Sequence, residues 1–272
     1  MDIDIIGFSR GAAQARDFAN RINAATRNGQ YRYTITEKGR QLQRCQMINF
    51  RFLGLWDTVL STNLSRTGYN LGIVPGFQHV AHAVALNEYR GNSIRLLPGS
   101  RLGAFPLESI MGGAVPIGQE RIERGFIGAH ADIGGGFEGQ TNAMPLVTLT
   151  WMVEQARNAG VMMLDPRSDI PPNPVIHDKS DNQYCIDGPG CSEDRRGNGG
   201  AGGTQRQMTG TGMTHSDTGQ FITYYPSDIN SDGTQTRTPR ADHTTGTVNM
   251  SAYLEWLRRP ENGYELGNLG VR

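Results

Sequence analysis

Short apolar runs, each closed by glycines or polar residues, set the pattern of the first half of the chain. The β-branched run ending Asp4-Ile5-Ile6-Gly7-Phe8 predicts a buried strand over 2–8. Ala15, Phe18, Ala19 and Ile22 recur at helical spacing, which predicts an amphipathic helix over 11–27 stopped by Asn28-Gly29. Residues 30–47 read as polar and irregular. A second apolar run, Met47 to Trp56, predicts a strand, followed by a loop over 60–77 rich in Ser, Asn, Gly and Pro. His79 to Arg90 reads as a helix with Val80, Ala83, Val84 and Leu86 on its apolar face, and His79 and His82, three apart, can meet on it. Residues 91–119 carry little pattern. A short strand then delivers His130 to a loop that includes Gly134-Gly135-Gly136.

The second half is thinner in large apolar residues. Pro145 to Ala159 predicts a long helix stopped by Gly160, and 165–176 is proline-rich. Residues 187–217 are dominated by Gly, Thr, Ser and Arg, a composition that cannot bury enough surface to fix itself and predicts a flexible insertion. Order is expected again as a strand over 220–225 and a final helix over 251–259, stopped by Pro260. Strands alternating with helices point to an α/β fold, a mostly parallel sheet flanked by helices. Residues 1–165 are expected to form its core and 166–272 a C-terminal extension of the same domain.

The first strand and helix enclose Gly7-Phe8-Ser9-Arg10-Gly11. A Gly-x-Ser-x-Gly between strand and helix is the setting of a nucleophile elbow, where the serine sits on a strained turn and its neighbours are glycine for lack of room. Ser9 is the candidate nucleophile, and the N–H of Arg10 at the helix start is a candidate donor to a developing oxyanion. The competing reading is a tight turn with an incidental serine. Asp57 ends the second strand and His130 follows the third. A plainer role is open to Asp57 in a turn or helix cap, and to His79 and His82 in structural hydrogen bonds. Serine needs an imidazole to take its proton and a carboxylate to hold that imidazole, and Ser9, Asp57, His130 is the chain order of α/β-hydrolases. Asp132 and His82 are candidates for supporting positions.

Gly-Phe-Ser-Arg-Gly-Ala at 7–12, Phe-Leu-Gly-Leu-Trp-Asp-Thr-Val at 52–59, His-x-x-His-Ala-x-Ala-Leu-x-Glu-x-Arg at 79–90 and Gly-Phe-Ile-Gly-Ala-His-Ala-Asp-Ile-Gly-Gly-Gly at 125–136 together resemble the motif series of an α/β-hydrolase family long filed as a domain of unknown function. Its members include type VI secretion system phospholipase effectors. The resemblance covers roughly the first half of the chain. It implies carboxylester hydrolysis with phospholipids as the substrate class, places Ser9, Asp57 and His130 on the family's triad positions, and implies no cofactor and no catalytic metal. It also implies an immunity or secretion-system protein as partner. One departure stands out: the elbow begins at residue 7, whereas the family fold has strands before it that also supply a second oxyanion donor. The sheet is therefore expected to lack those strands, the chain being a fragment, starting upstream, or completed by something else.

Composition narrows the remaining readings. Lys and Arg number 26 and Asp and Glu 26, so no overall field favours nucleic acid or an anionic surface. Cys45, Cys185 and Cys191 are too few and scattered for a disulfide framework or zinc cluster, although Cys185 and Cys191 are near enough in sequence to pair. No apolar run approaches the roughly 20 residues that span a bilayer, and no basic-then-apolar leader opens the chain. A cytoplasmic product, exported without a signal peptide, is the expectation. Two alternatives to the hydrolase are kept: a truncated, non-catalytic binding module, and a metal-dependent hydrolase built on His130 and Asp132 with His79 or His82.

Overall fold

Strand β1 (Asp2–Phe8) runs into helix α1 (Arg10–Ala24) with only Ser9 between them. In the computed structural model, residues 1–59, 69–88, 107, 109–137, 143–178, 213, 215–225 and 244–272 are described. After α1 come β2 (Thr26–Arg27), β3 (Gln30–Glu37) and β4 (Arg40–Met47), then β5 (Asn49–Trp56), β6 (His79–Ala85) and β7 (Glu120–Phe126). The order β1-β5-β6-β7 forms a four-stranded sheet in which every pairing is parallel. Helices α2 (His130–Gly134) and α3 (Met144–Asn158) follow.

Helices cover the sheet on both faces, as a parallel sheet requires. On one face Ala12, Ala15 and Ala19 of α1 pack on Phe50, Leu53, Leu55 and Val80. On the other, Trp151 and Met152 of α3 pack with Phe52, Ala81 and Ala83. The C-terminal half joins this second cluster. It contributes β8 (Asp169–Ile170), β9 (Val175–Asp178), β10 (Ile222–Tyr224), β11 (Thr244–Val248), α4 (Met250–Arg258) and β12 (Gly270–Val271). Strands β10, β11 and β9 make a separate antiparallel sheet, and β8 pairs with β12. Tyr253 and Tyr264 tie this half to the end of β7: Ile127 N donates to Tyr253 Oη at 3.2 Å, and Tyr264 Oη donates to the Gly125 carbonyl at 2.6 Å.

Three expectations are corrected. His79 to Ala85 is a strand, not a helix, and every one of its side chains is buried. A strand covered on both faces reads as an unbroken apolar run, which helical spacing can mimic. His79 and His82 consequently point to opposite faces. His79 bonds Gln155 and Glu120, each at 3.0 Å, while His82 bonds Glu123 at 2.9 Å. Residues 30–47 are not irregular but an antiparallel hairpin, so the preceding helix ends at Ala24 rather than at 27. Within 187–217, Met213 is fully buried with its N–H on Tyr264 Oη, and a 3₁₀ turn starts at His215. The rest of that stretch lies outside the described residues, as do Arg90, Cys185 and Cys191.

Candidate active site

Ser9 has φ 61° and ψ −129°, a backbone conformation that side-chain-bearing residues rarely occupy. It is held there from both sides. Its N–H donates to the Trp56 carbonyl at 3.0 Å, and its carbonyl accepts from Val59 N at 3.4 Å and Ala12 N at 3.1 Å. Glycine at 7 is obligatory, since a Cβ there would stand 2.6 Å from the Gly11 carbonyl and 2.7 Å from Ala12 Cα. At Gly11 the expected lack of room is not found: nothing among the described residues lies within 4 Å of a Cβ. The first turn of α1 presses on β1 through residues 11 and 12, while position 11 itself faces outward. Arg10 is the first residue of α1, and its N–H has no acceptor within the helix.

Asp57, fully buried, is the other strained residue at the sheet's carboxyl edge, with φ 39°. Its N–H donates to the Ala83 carbonyl at 2.7 Å and its Oδ1 accepts from Ala85 N at 3.0 Å, so the end of β6 aims the carboxylate. Oδ2 meets Nδ1 of His130 at 2.6 Å, where the ring is buried at the start of α2. With a carboxylate on Nδ1, that nitrogen carries the proton and Nε2 is left to act as base. Phe8 packs its ring on that of His130, centroids 4.5 Å apart, and occupies the space beside Gly134, where a Cβ would come within 2.2 Å of it. The neighbours of Ser9, in sequence and by backbone hydrogen bonds, thus reach both other residues. The Ser9 hydroxyl itself makes no hydrogen bond to the His130 ring.

Around this pair lies a second set of contacts. His82 Nε2 accepts from Thr58 N at 2.9 Å, the peptide that follows Asp57, so its proton is on Nδ1 and goes to Glu123. Burial pushes the Glu123 carboxyl up, but the hydrogen bonds from His82, the Ile110 N–H and the Ser109 hydroxyl outweigh it and hold Glu123 below the ordinary range. Asp132 accepts from Ala129 N at 3.0 Å and His177 N at 2.9 Å and meets the His177 ring at 2.9 Å. There burial wins, and the Asp132 carboxyl is raised despite those bonds.

Asn87 and Glu88 are residues that sequence reasoning passed over. Glu88 accepts from His130 N at 3.1 Å, and Asn87 accepts from Gly128 N at 2.9 Å while donating to Asp178 at 3.0 Å. They grip the loop that carries His130. A signal for them existed: they follow a buried strand at its carboxyl end, as Asp57 does. Reading 79–90 as a helix hid it. Among the described residues no group of three or more His, Cys, Asp or Glu side chains is placed to hold a metal ion.

Comparison with known proteins gives a structural and a family likeness. No curated protein matches. The crystal structure of an uncharacterized protein from Pseudomonas aeruginosa is similar at 27% identity over 61% of this chain and 24% of that chain, with a TM-score of 0.41. The match therefore spans about a quarter of that longer protein. Residues 19–155, half of the chain, match the family described as "T6SS, Phospholipase effector Tle1-like, catalytic domain". That span holds Asp57, His82, Asn87, Glu88, His130 and Asp132 and begins after Ser9. The chain belongs to the Tle1-like family of type VI secretion system phospholipase effectors, through their catalytic domain.

Proposed function

We propose that this chain is a serine hydrolase of phospholipid carboxylic esters on an α/β-hydrolase-like core, with Ser9 as nucleophile, His130 as base and Asp57 as the carboxylate that orients it. The observation that carries the reading is the strained backbone of Ser9 on a strand-to-helix turn, next to a ring that packs on a buried, carboxylate-bound histidine. Family membership supplies the substrate class. A protein delivered to a target membrane, and a neutralising or secretion-system partner, belong to the same reading.

In this mechanism Ser9 Oγ adds to the ester carbonyl carbon while its proton passes to His130 Nε2. The carbonyl electron pair moves onto oxygen, facing the Arg10 N–H and the positive end of α1. Asp57 stabilises the imidazolium through Nδ1. The ester C–O bond then breaks, the leaving alcohol takes the proton from Nε2, and an acyl-serine remains. Water, deprotonated by the same nitrogen, attacks the acyl carbon and releases the carboxylic acid, restoring Ser9. Asn87, Glu88, Asp132 and His82 act through the loops that hold these groups and touch no substrate.

The second reading, a non-catalytic binding module, is favoured by the missing Ser9–His130 hydrogen bond. Such bonds are often long before substrate arrives. Treatment with a fluorophosphonate and peptide mapping separates the two. The expected result is a covalent adduct on the Ser9 peptide, absent in Ser9→Ala and His130→Ala and formed roughly 10³–10⁴-fold more slowly in Asp57→Asn. A folded wild-type chain that takes no label removes the hydrolase reading.

A further inference from the structure

The chain is neutral in sum but not in layout. From Thr26 to Met47 there are five cationic side chains, Arg27, Arg32, Lys38, Arg40 and Arg44, against the one carboxylate of Glu37, in a chain of 26 positive and 26 negative groups. The rest of the chain carries the compensating negative charge. This stretch is β2, β3 and β4, a small antiparallel sheet that pairs with no other described strand. Nearly all side chains of β3 and β4 are exposed, so the hairpin projects as an arm of about 27 Å rather than covering a core.

One face of the arm is not simply polar. The register sets Tyr33 opposite Arg44, Ile35 opposite Leu42 and Glu37 opposite Arg40. Tyr31 and Tyr33 stack along this face with centroids 5.7 Å apart and lead into the Ile35–Leu42 pair. The result is an aromatic and aliphatic strip flanked by the guanidinium groups of Arg40 and Arg44, with Arg32, opposite Cys45, on the arm's other face. Within the arm the one described ion pair is Arg44 with Glu37 at 3.7 Å, so Arg32, Lys38 and Arg40 keep their charge without an acidic partner among the described residues.

The arm's root fixes where it stands. Met1 donates from its amino group to the Met47 carbonyl at 2.8 Å, and Asn49 N donates to the Met1 carbonyl at 2.9 Å, so the arm leaves from the amino edge of the parallel sheet. Ser9, Asp57 and His130 all lie at the carboxyl edge, and the 15 residues of α1 carry the chain about 22 Å between the two.

We infer that the arm is a docking surface for an acidic protein partner, one that binds while the catalytic edge stays open. An aromatic centre with an arginine rim has the make-up of a protein interface, and the unpaired charge steers an acidic partner onto it. A bilayer is the less fitting occupant, because lipid must reach the carboxyl edge and the arm leaves the opposite one. That choice rests on the proposed site.

The full chain is tested against immobilised poly-L-glutamate as the acidic probe, and against phosphatidylglycerol vesicles with phosphatidylcholine vesicles as control. Poly-L-glutamate is expected to bind in a salt-sensitive manner. The fourfold variant R32Q/K38Q/R40Q/R44Q should bind at least tenfold more weakly, and Tyr33→Ala several-fold more weakly with the charge intact. Both should keep the wild-type circular dichroism and the wild-type rate on a short-chain soluble ester. Poly-L-glutamate binding that ignores these substitutions overturns the inference. So does arm-dependent binding to phosphatidylglycerol vesicles in place of poly-L-glutamate. A chain that binds through the arm yet cleaves no ester and takes no fluorophosphonate sustains the docking surface and overturns the functional reading alone.

Discussion

Glu123 shows how one buried residue, two hydrogen bonds removed, sets the geometry of the turn that carries Asp57. Its carboxylate takes the Nδ1 proton of His82, whose Nε2 in turn accepts the Thr58 N–H. Because hydrogen bonds hold this carboxyl below its ordinary value, the stability it contributes is fully present above the unfolded carboxylate range near pH ~4.3 and is lost as pH falls through the lower folded value. Glu123→Gln is expected to destabilise the fold by about 2 kcal/mol at pH 7, with the gap to wild type narrowing below about pH 4. Urea midpoints of the two proteins at pH 7 and pH 3.5 check this. An unchanged gap would show that the network draws nothing from the charge.

At the scale of the element, the elbow depends on how closely α1 sits on β1. Gly7→Ala drives a methyl into the Gly11 carbonyl and must lift the helix start. A loss of about 1–3 kcal/mol is expected, along with loss of fluorophosphonate labelling. Gly11→Ala fills open space on a helix and should be neutral or stabilising by up to about 1 kcal/mol. Thermal unfolding of the two single variants decides the matter, and equal destabilisation would refute the asymmetry. The same element shows what the sequence disclosed. The strand-to-helix turn at Ser9 and the strand ends that carry Asp57 and precede His130 were legible because glycines and polar residues interrupt apolar runs there. Strand β6 was not, since burial on both faces removes the alternation that marks a strand, and its alanines suit a helix. The hairpin was missed for another reason: Tyr31, Tyr33 and Ile35 alternate with polar residues on β3, but β4 answers them with Leu42 alone among Arg and Gln, so no second apolar stripe marks the partner strand. Yet Asn28-Gly29 and Lys38-Gly39, all at positive φ, are paired turn residues of the kind that close two-residue hairpins. The first pair also suits the end of a helix, which masks its hairpin signal.

For the whole molecule, the two halves of the chain share one core cluster reaching from Phe52 to Leu269. Tyr253 and Tyr264 are its polar pins. Burial, against the Met213 N–H, pushes Tyr264 up to about 12, and burial raises Tyr253 well above its usual value. Groups raised in this way stabilise the fold below the unfolded tyrosine value near pH ~10 and cease to as pH climbs through the folded value. Stability is therefore expected to hold to about pH 10 and then fall. In a tyrosinate absorbance titration, two of the nine tyrosines should ionise only as circular dichroism is lost. All nine ionising together in a folded chain would contradict it.

Phe8 has a mechanical consequence at this scale. Its ring fills the socket left by Gly134 and lies against His130, so the strand that leads into Ser9 and the helix that bears His130 are keyed together like tooth and notch. A close-packed contact of this kind transmits displacement rather than absorbing it. When β1 shifts, α2 is carried with it, and the spacing between Ser9 and His130 varies less than the position of either against the rest of the molecule.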